Sequence, residues 1–179
     1  MRALVVYESM YGNTHMVAIS IAAGLRSTHD VTLVPVSRAP RGLVAGADLL
    51  IAGGPTHMHG MSSSASRRSA AESARKKGSE LTMDPDADGP GIRGWLDSLD
   101  SGSGLAVAFD TRLRGLPLIT GRASQGISRS LQRHGYHILA APESFLVSKQ
   151  NVLIGGEAAH ASAWAATIGK AARDFYARV

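Results

Sequence analysis

The sequence contains no cysteine, few aromatic residues and no long apolar run. Without cysteine, the chain forms neither disulfides nor thiolate nucleophiles, and zinc or iron–sulfur sites with cysteine ligands are excluded. Aromatic residues make up 5% of the chain, which argues against a surface that stacks nucleic-acid bases. No apolar run approaches the roughly 20 residues of a membrane-spanning helix. We therefore expect a cytoplasmic protein with no membrane span and no nucleic-acid partner.

Three nucleotide-binding or catalytic motifs are also missing. The sequence lacks the GxxxxGK[ST] phosphate loop, a GxGxxG that links a strand to a helix, and the GxSxG turn of serine hydrolases. A similar string, Gly102-Ser103-Gly104, lies before a strand rather than after one. These absences argue against a Walker-type nucleotidase, a dinucleotide fold and an acyl-transfer enzyme.

The chain has the size and composition of one folded domain. Of its 179 residues, 44% are hydrophobic and 18% are charged, values typical of a globular protein with a full core. The 19 Lys and Arg residues exceed the 14 Asp and Glu residues, which gives a net charge of +5. This excess permits an anionic ligand, an acidic partner or nucleic acid, and it selects none of them. We expect a single domain over residues 1–179, whose N-terminal run is a strand rather than a signal peptide.

Apolar segments of strand length alternate with helical patterns along the chain. The predicted strands are Arg2–Tyr7, Val31–Val36, Asp48–Gly53, Leu105–Phe109 and Tyr136–Ala141, with a continuation at Phe145–Val147. The first helix is predicted to begin at a cap at Thr14 and to run through Leu25. Further helices are predicted over Ile92–Leu99, Ala123–His134 and Glu157–Ala177. This alternation predicts an α/β fold with a doubly wound, five-stranded parallel sheet in the order 2-1-3-4-5. Pro35 places the second strand at an edge.

One segment departs from this alternation. Met61–Asp88 begins with three serines and ends in Asp84, Asp86 and Asp88. Its middle part carries basic residues that could form a helix, namely Arg67, Arg68, Arg75, Lys76 and Lys77. We interpret residues 61–90 as a basic surface insertion that is solvated or mobile, with a partner-docking surface as the alternative.

Polar residues follow the first strand at its carboxyl end. Ligands of doubly wound sheets bind at this edge, where the strand order reverses. The residues there are Glu8-Ser9-Met10-Tyr11-Gly12-Asn13-Thr14, directly before a helix. Free backbone N–H groups and the helix dipole make such a position suitable for an anion, most simply a phosphate. The alternative is that Ser9 and Thr14 only cap the helix.

The third and fourth strands also end in unusual segments. The third ends in GGPTHMHG, residues 53–60, and the fourth in Phe109-Asp110-Thr111-Arg112. The spacing of His57 and His59 is compatible with two metal ligands. No further histidine or carboxylate lies nearby in sequence, so we predict no metal site. A response-regulator receiver is excluded because Gly53-Gly54-Pro55 stands where its acceptor aspartate would be.

These residues resemble the flavodoxin family. Ser9-Met10-Tyr11-Gly12-Asn13-Thr14 is similar to the [ST]-x-x-G-x-T phosphate loop of flavodoxins. Gly54-Pro55-Thr56 resembles the second flavin loop, especially that of the flavodoxin modules of flavodiiron proteins. The resemblance covers nearly the whole chain and implies a flavodoxin-like fold with a bound flavin mononucleotide (FMN).

The resemblance also implies which residues hold the FMN. The phosphate would be surrounded by Ser9, Met10, Tyr11, Gly12, Asn13 and Thr14. One face and the edge of the flavin ring would lie beside Pro55, Thr56, His57, Met58, His59 and Gly60, and the other side beside Phe109, Asp110, Thr111 and Arg112. Two departures stand out. Tyr11 replaces the usual threonine, and no Trp or Tyr in the second or third loop sandwiches the ring, so His57, Met58, His59 or Leu113 would have to do so.

Three functions remain open at this point. The first is an FMN electron carrier that serves redox partner proteins, with donor and acceptor unknown and no catalytic residue of its own. The second is a small FMN-dependent oxidoreductase, either a quinone reductase or similar to protoporphyrinogen oxidase. The third is a flavin-free binding module. The sequence has no recognisable nicotinamide-binding element, which favours the carrier.

Overall fold

The computed structural model describes residues 1–87 and 89–178. Asp88, the last residue of the predicted Met61–Asp88 segment, lies outside the described residues. The strands are β1 (Arg2–Tyr7), β2 (Asp30–Pro35), β3 (Leu49–His57), β4 (Gly60–Met61), β5 (Leu105–Leu113), β6 (His137–Ile138) and β7 (Glu143–Val147). The helices are α1 (Asn13–Leu25), α2 (Arg41–Ala45), α3 (Ser64–Arg75), α4 (Gly91–Asp97), α5 (Pro117–Thr120), α6 (Ala123–Arg133) and α7 (Glu157–Tyr176), and a short 3-10 turn spans Val36–Arg38.

The sheet has the predicted parallel order. β2, β1, β3 and β5 lie side by side, and both β6 and β7 pair in parallel with β5. The fifth predicted strand is therefore split into two short pieces, since Pro142 between them has no N–H to donate to the ladder. β4 adds a short antiparallel pair to the end of β3. The doubly wound, flavodoxin-like fold is confirmed, with β2 at the edge.

The strands bury alternate side chains on the two faces of the sheet. Ala3, Val5 and Tyr7 belong to the core beneath α1 and α7, whereas Leu4 and Val6 belong to the core beneath α4 and α6. Each fully buried aliphatic side chain contributes about 1.5–3 kcal/mol relative to an exposed one. Burial on both faces explains why these strands read as continuous apolar runs.

Two strands run farther than their sequence indicates. β3 continues past Gly53 to His57, and β5 continues past Phe109 to Leu113, because the two pair with each other up to Pro55 and Thr111. The pairing of β1 with β3 ends at Tyr7 and Gly53, so the end of β3 has only one parallel neighbour, and a proline is tolerated there. The two extensions carry the polar ends of both strands farther from the sheet centre.

The inserted segment packs against the first loop rather than being merely solvated. The Tyr11 hydroxyl donates to the Ala70 carbonyl at 2.9 Å, which fixes α3 over residues 9–14. The Asp84 N–H donates to the Met10 carbonyl at 2.8 Å, which places the end of the segment against the same loop. No helix in the described part of the chain is both long and apolar enough to cross a membrane.

Candidate functional site

A cavity of about 200 Å³ lies at the carboxyl edge of the sheet, between the ends of β1, β3 and β5. Nine of the residues predicted for the site line it: Met10, Tyr11, Asn13, Thr14, Pro55, Thr56, His57, Thr111 and Arg112. Leu113, named as one candidate to sandwich the ring, also lines it, and two further lining residues, Val147 and Asn151, were not predicted. The cavity is therefore built by the three predicted loops and by the loop that follows β7.

The other predicted site residues lie outside this cavity. Ser9 and Gly12 shape the first loop from behind, and Met58, His59 and Gly60 form the turn between β3 and β4. Phe109 is fully buried in the core against Phe145, with ring centroids 6.3 Å apart. Asp110 is also fully buried, and its Oδ2 accepts from the Ser124 N–H at 2.7 Å. Because β5 continues through Leu113, only Thr111 and the residues after it reach the cavity.

The start of α1 is open toward the cavity. Gly12 is the N-cap residue, with φ of 88°, and no side chain caps the helix. The predicted cap at Thr14 is therefore wrong, because Thr14 already belongs to the helix and the chain reaches it through a left-handed glycine. Ser9 Oγ accepts only from the Gly12 N–H, at 3.1 Å. The first N–H groups of a helix have no acceptor within the helix. Asn13 and Thr14 at this start line the cavity.

Two threonine hydroxyls meet at the cavity wall. Thr14 Oγ1 and Thr111 Oγ1 lie 2.7 Å apart, and both side chains are buried. Only one of the two hydroxyl hydrogens can serve the bond between them. The other hydrogen is available to a group inside the cavity.

Asn151 closes the cavity from the far side. Its carbonyl accepts from Asn13 Nδ2 at 2.9 Å, which ties the loop after β7 to the start of α1. Asn151 has φ of 58°, a conformation that asparagine adopts more readily than most residues. Its position in a short polar turn between strand and helix is the only signal that the sequence offers for it.

The charge of the cavity wall is positive. Arg112 is 8% exposed, and its Nη1 donates to the Gly115 carbonyl at 2.9 Å and to Thr120 Oγ1 at 3.1 Å. Among the described residues no carboxylate pairs with Arg112, and none lines the cavity. The buried guanidinium therefore favours an anion at this edge.

His57 lies partly buried on the second wall. Burial lowers the pKa of its imidazole below the ordinary 6.5, an effect that the charge of Glu8 partly offsets. Next to it, Thr56 Oγ1 accepts from the Ala123 N–H at 2.9 Å, so this side chain holds the start of α6. His57 is therefore mostly neutral at pH 7, and Arg112 is the main cation at the wall.

The turn after His57 has a strained backbone. Met58 and His59 have φ of 45° and 73°, the positive values of a tight hairpin turn that glycine and asparagine usually provide. His59 forms an isolated bridge with Gly121, which holds the turn against the loop before α6. Such strain persists only where surrounding contacts hold it, and it is frequent at ligand sites.

Glu8 is a buried carboxylate beneath the second loop. It accepts from Ser62 Oγ at 2.7 Å and from the Ile92 N–H at 2.8 Å, and Arg67 Nε lies 3.6 Å away. Ser62 and Ile92 stand at the two ends of the inserted segment. One side chain thus fastens both ends of the insertion to the end of β1, a role that the sequence did not reveal.

The described residues offer one group of metal-ligand type, and it lies elsewhere. His15, Asp84 and Asp86 have ligand atoms within 4.8 Å of one another. His15 lies 3.3 Å from Asp84, while Asp86 binds Arg38 at 2.6 Å and accepts from the Tyr7 hydroxyl at 3.2 Å. These pairings anchor the insertion. His57 and His59 take part in no such group within the described ranges.

A larger cavity, of about 620 Å³, lies at the opposite edge of the sheet. Its lining includes Ala47, Asp48, Gly104 and Tyr136, which precede β3, β5 and β6. Ligands of doubly wound sheets bind at the carboxyl ends of the strands. The cavity at the carboxyl edge is therefore the candidate functional site, although it is the smaller of the two.

Comparisons with known proteins agree with this fold. The family model described as flavodoxin matches residues 5–94, which is half of the chain. A search of curated proteins finds no match. Among solved structures, a flavodoxin from the domain Archaea is 16% identical with a TM-score of 0.66, covering 97% of this chain and 99% of its own.

Two further solved structures are similar. Oxidised flavodoxin 1 from Bacillus cereus is 18% identical with a TM-score of 0.64, covering 95% of this chain and 98% of its own. The flavodiiron protein from Giardia intestinalis is 18% identical with a TM-score of 0.63, covering 97% of this chain but only 36% of its own. The family model matches half of the chain and includes its first two loops, and the sheet has the flavodoxin-like strand order. The chain therefore belongs to the flavodoxin family.

Proposed function

We propose that this chain is an electron carrier that binds FMN with its phosphate at the start of α1. Flavodoxin-family proteins bind FMN and belong to electron transport. The observation that carries the proposal is the uncapped helix start beside an unshared threonine hydroxyl hydrogen. These are the donors that a phosphate dianion requires.

The residues present fit such a phosphate. Backbone N–H groups at the start of α1 would donate to its oxygens, and either Thr14 or Thr111 would add a hydroxyl donor. Tyr11 would contribute only through its backbone, because its hydroxyl already donates to Ala70. Asn13 is likewise engaged with Asn151, so it supports the loop.

The walls away from α1 would take the flavin ring. Pro55, Thr56 and His57 form one wall, and Arg112 and Leu113 form another. When bound, FMN supplies the redox chemistry by accepting and donating electrons. The chain contributes a cationic wall, a partly buried imidazole and exclusion of water by Leu113 and Val147.

The lack of a recognisable nicotinamide-binding motif in the sequence supports a carrier rather than an enzyme. Electrons would then pass between the flavin and separate redox partner proteins.

Anaerobic electron transfer tests this proposal. We expect the chemically reduced protein to pass electrons to cytochrome c in a rapid, stoichiometric reaction. With NAD(P)H and a quinone, but no reductase, we expect no sustained turnover. Sustained NAD(P)H–quinone turnover would instead show an FMN-dependent oxidoreductase, and apoprotein without flavin serves as the control in both assays.

A further inference from the structure

Large apolar side chains are exposed around the cavity mouth. They lie on three segments: the β3–β4 turn, the chain from the end of β5 through α5, and the chain after β7. We call them the apolar rim, which comprises Met58, Leu113, Leu116, Leu118, Ile119 and Val152. Leu118 is 94% exposed and Met58 is 88% exposed, so these side chains have almost no contact with their own chain. Most of the exposed large hydrophobic residues found in the described ranges belong to this rim. Exposed patches of this kind mark interaction sites.

The three loops form one continuous surface. The bridge between His59 and Gly121 joins the β3–β4 turn to the loop that contains α5. The Arg114 N–H donates to the Val147 carbonyl at 2.9 Å, which joins the α5 loop to the segment after β7. The rim therefore acts as a unit.

Cations occur within the rim segments. Residues 111–122, which span the end of β5 and the α5 loop, contain no Asp or Glu and carry Arg112, Arg114 and Arg122. Arg114 is exposed within the rim loop, and Lys149 is exposed beside Val152. Glu8 follows β1 and Asp110 lies in β5, so both carboxylates are near this edge of the sheet. Both are buried and accept from backbone N–H groups.

The composition of the rim favours a lipid surface over a protein as its binding partner. Protein–protein interfaces gain most of their affinity from Trp, Tyr and Arg, while Leu and Val are under-represented at such positions. No Phe, Tyr or Trp occurs anywhere in the three segments that carry the rim, residues 58–59, 113–122 and 148–156. Protruding aliphatic side chains surrounded by Lys and Arg are typical of segments that enter the headgroup region of an anionic bilayer.

We propose that the apolar rim docks on the surface of a bilayer that contains anionic phospholipid. Leu116, Leu118 and Ile119 enter the boundary between headgroups and acyl chains, and Arg114 and Lys149 bind the lipid phosphates. The chain does not cross the bilayer. Docking of this kind requires no flavin, so it stands or fails independently of the proposed electron-carrier function. It also turns the mouth of the cavity toward the membrane.

Sedimentation with vesicles tests the docking. The probes are phosphatidylcholine vesicles with and without roughly one quarter phosphatidylglycerol, at low and high salt. We expect the protein to bind the anionic vesicles, to bind more weakly at high salt because exposed charges are screened, and to bind phosphatidylcholine vesicles poorly.

A pair of matched variants separates insertion from general hydrophobicity. Leu118→Ser/Ile119→Ser removes two rim side chains that are 94% and 66% exposed, so the fold should persist. Loss of their burial in lipid should weaken partitioning by at least about tenfold. The control is Met16→Ser/Ile19→Ser on α1, where the side chains are 52% and 50% exposed, and it should bind as the wild type does. Circular dichroism checks that both variants are folded.

Three results would overturn the proposal. The first is failure of the wild type to bind anionic vesicles at low salt. The second is equal binding by the rim variant and the α1 variant. The third is self-association of the wild type without vesicles that the rim variant abolishes, because that would show a second copy of the chain as the occupant of the rim.

Discussion

The hydroxyl pair of Thr14 and Thr111 is the smallest feature on which the proposed phosphate site depends. The two oxygens, 2.7 Å apart, share one hydrogen and leave the second to the cavity. A hydrogen bond to a charged group contributes roughly 1.5–3 kcal/mol, more than one between neutral groups. The pair should therefore distinguish flavins that carry a phosphate from those that do not.

Thr14→Val/Thr111→Val tests this distinction. The valines keep the shape of both side chains and remove both hydroxyls, so no hydroxyl hydrogen of the pair is left for the cavity. We expect FMN affinity to fall by about ten- to a hundredfold. Riboflavin, which has no phosphate, should bind both proteins equally, as measured by quenching of flavin fluorescence. Thr167→Val on α7, whose hydroxyl donates to the Ala163 carbonyl, is the control and should bind FMN as the wild type does. Equal loss of riboflavin binding would assign the threonine pair to the fold instead.

His57 gives the site a pH dependence whose direction follows from burial. Its pKa is lowered from the ordinary 6.5, so the folded state favours the neutral imidazole. A group with a lowered pKa contributes stability that is fully present above its unfolded value and is lost as pH falls toward its folded value. Acidification below about 6.5 should therefore destabilise the apoprotein through this side chain.

Denaturation of His57→Gln checks that direction. We expect the free energy of unfolding of the wild type to decline as pH falls from 7 to 5, and the variant to decline less over the same window. NMR titration should place the His57 pKa below 6.5. A variant that loses stability as steeply as the wild type would show that His57 does not titrate in this window.

The packing of α1 on α7 brings Gly24 close to the α7 backbone. A Cβ at Gly24 would lie 2.2 Å from the Ser162 carbonyl oxygen, backbone that cannot move aside easily. Gly42 in α2 is also helical, but a Cβ there would meet nothing within 4 Å. The two positions therefore separate close helix packing from the general effect of glycine in a helix.

Gly24→Ala and Gly42→Ala should change stability in opposite directions. Overpacking at Gly24 should destabilise the protein by about 1–3 kcal/mol. Gly42→Ala should stabilise it by about 0.4–1 kcal/mol, because the unfolded chain loses freedom. Thermal or urea denaturation measures both, and a neutral Gly24→Ala would show that α1 and α7 are not in close contact at Gly24.

How much of each element the sequence predicts depends on what its residues face. Strands buried on both sides, such as β1, show as continuous apolar runs, so their order was predictable. The extensions at the ends of β3 and β5 were not predictable. Gly-Gly-Pro is typical of a turn, but pairing with a neighbouring strand keeps these residues extended. The inserted segment looked solvated because the contacts that hold it, such as Glu8 with Ser62, join residues far apart in sequence.

The candidate site was predictable where a local motif forms it. Residues 10, 11, 13, 14 and 55–57 line the cavity because the loops that follow parallel strands meet at one edge. Phe109 and Asp110 were predicted to reach the ring, but the extension of β5 turns them into the core and toward α6. Asn151 reaches the site only through the tertiary fold, so no sequence motif predicts its position there.

Across the whole molecule, charge is distributed so that the carboxyl edge of the sheet attracts anions. The net charge is +5, and among the described residues the wall of the cavity holds Arg112 without any carboxylate. The buried carboxylates near this edge, Glu8 and Asp110, are held by backbone N–H groups. An anionic cofactor with a terminal phosphate suits this arrangement, and no second nucleotide motif is present in the sequence to hold an adenylate.

Identification of the flavin that the protein selects tests this arrangement directly. Apoprotein is mixed with equal amounts of FMN, FAD and riboflavin, freed of unbound flavin, and denatured by heat, and the released cofactor is identified by chromatography. We expect FMN as the main species, bound as a single molecule per chain. Recovery of FAD as the main species, or a colourless protein that retains no flavin, would contradict a phosphate site at the start of α1.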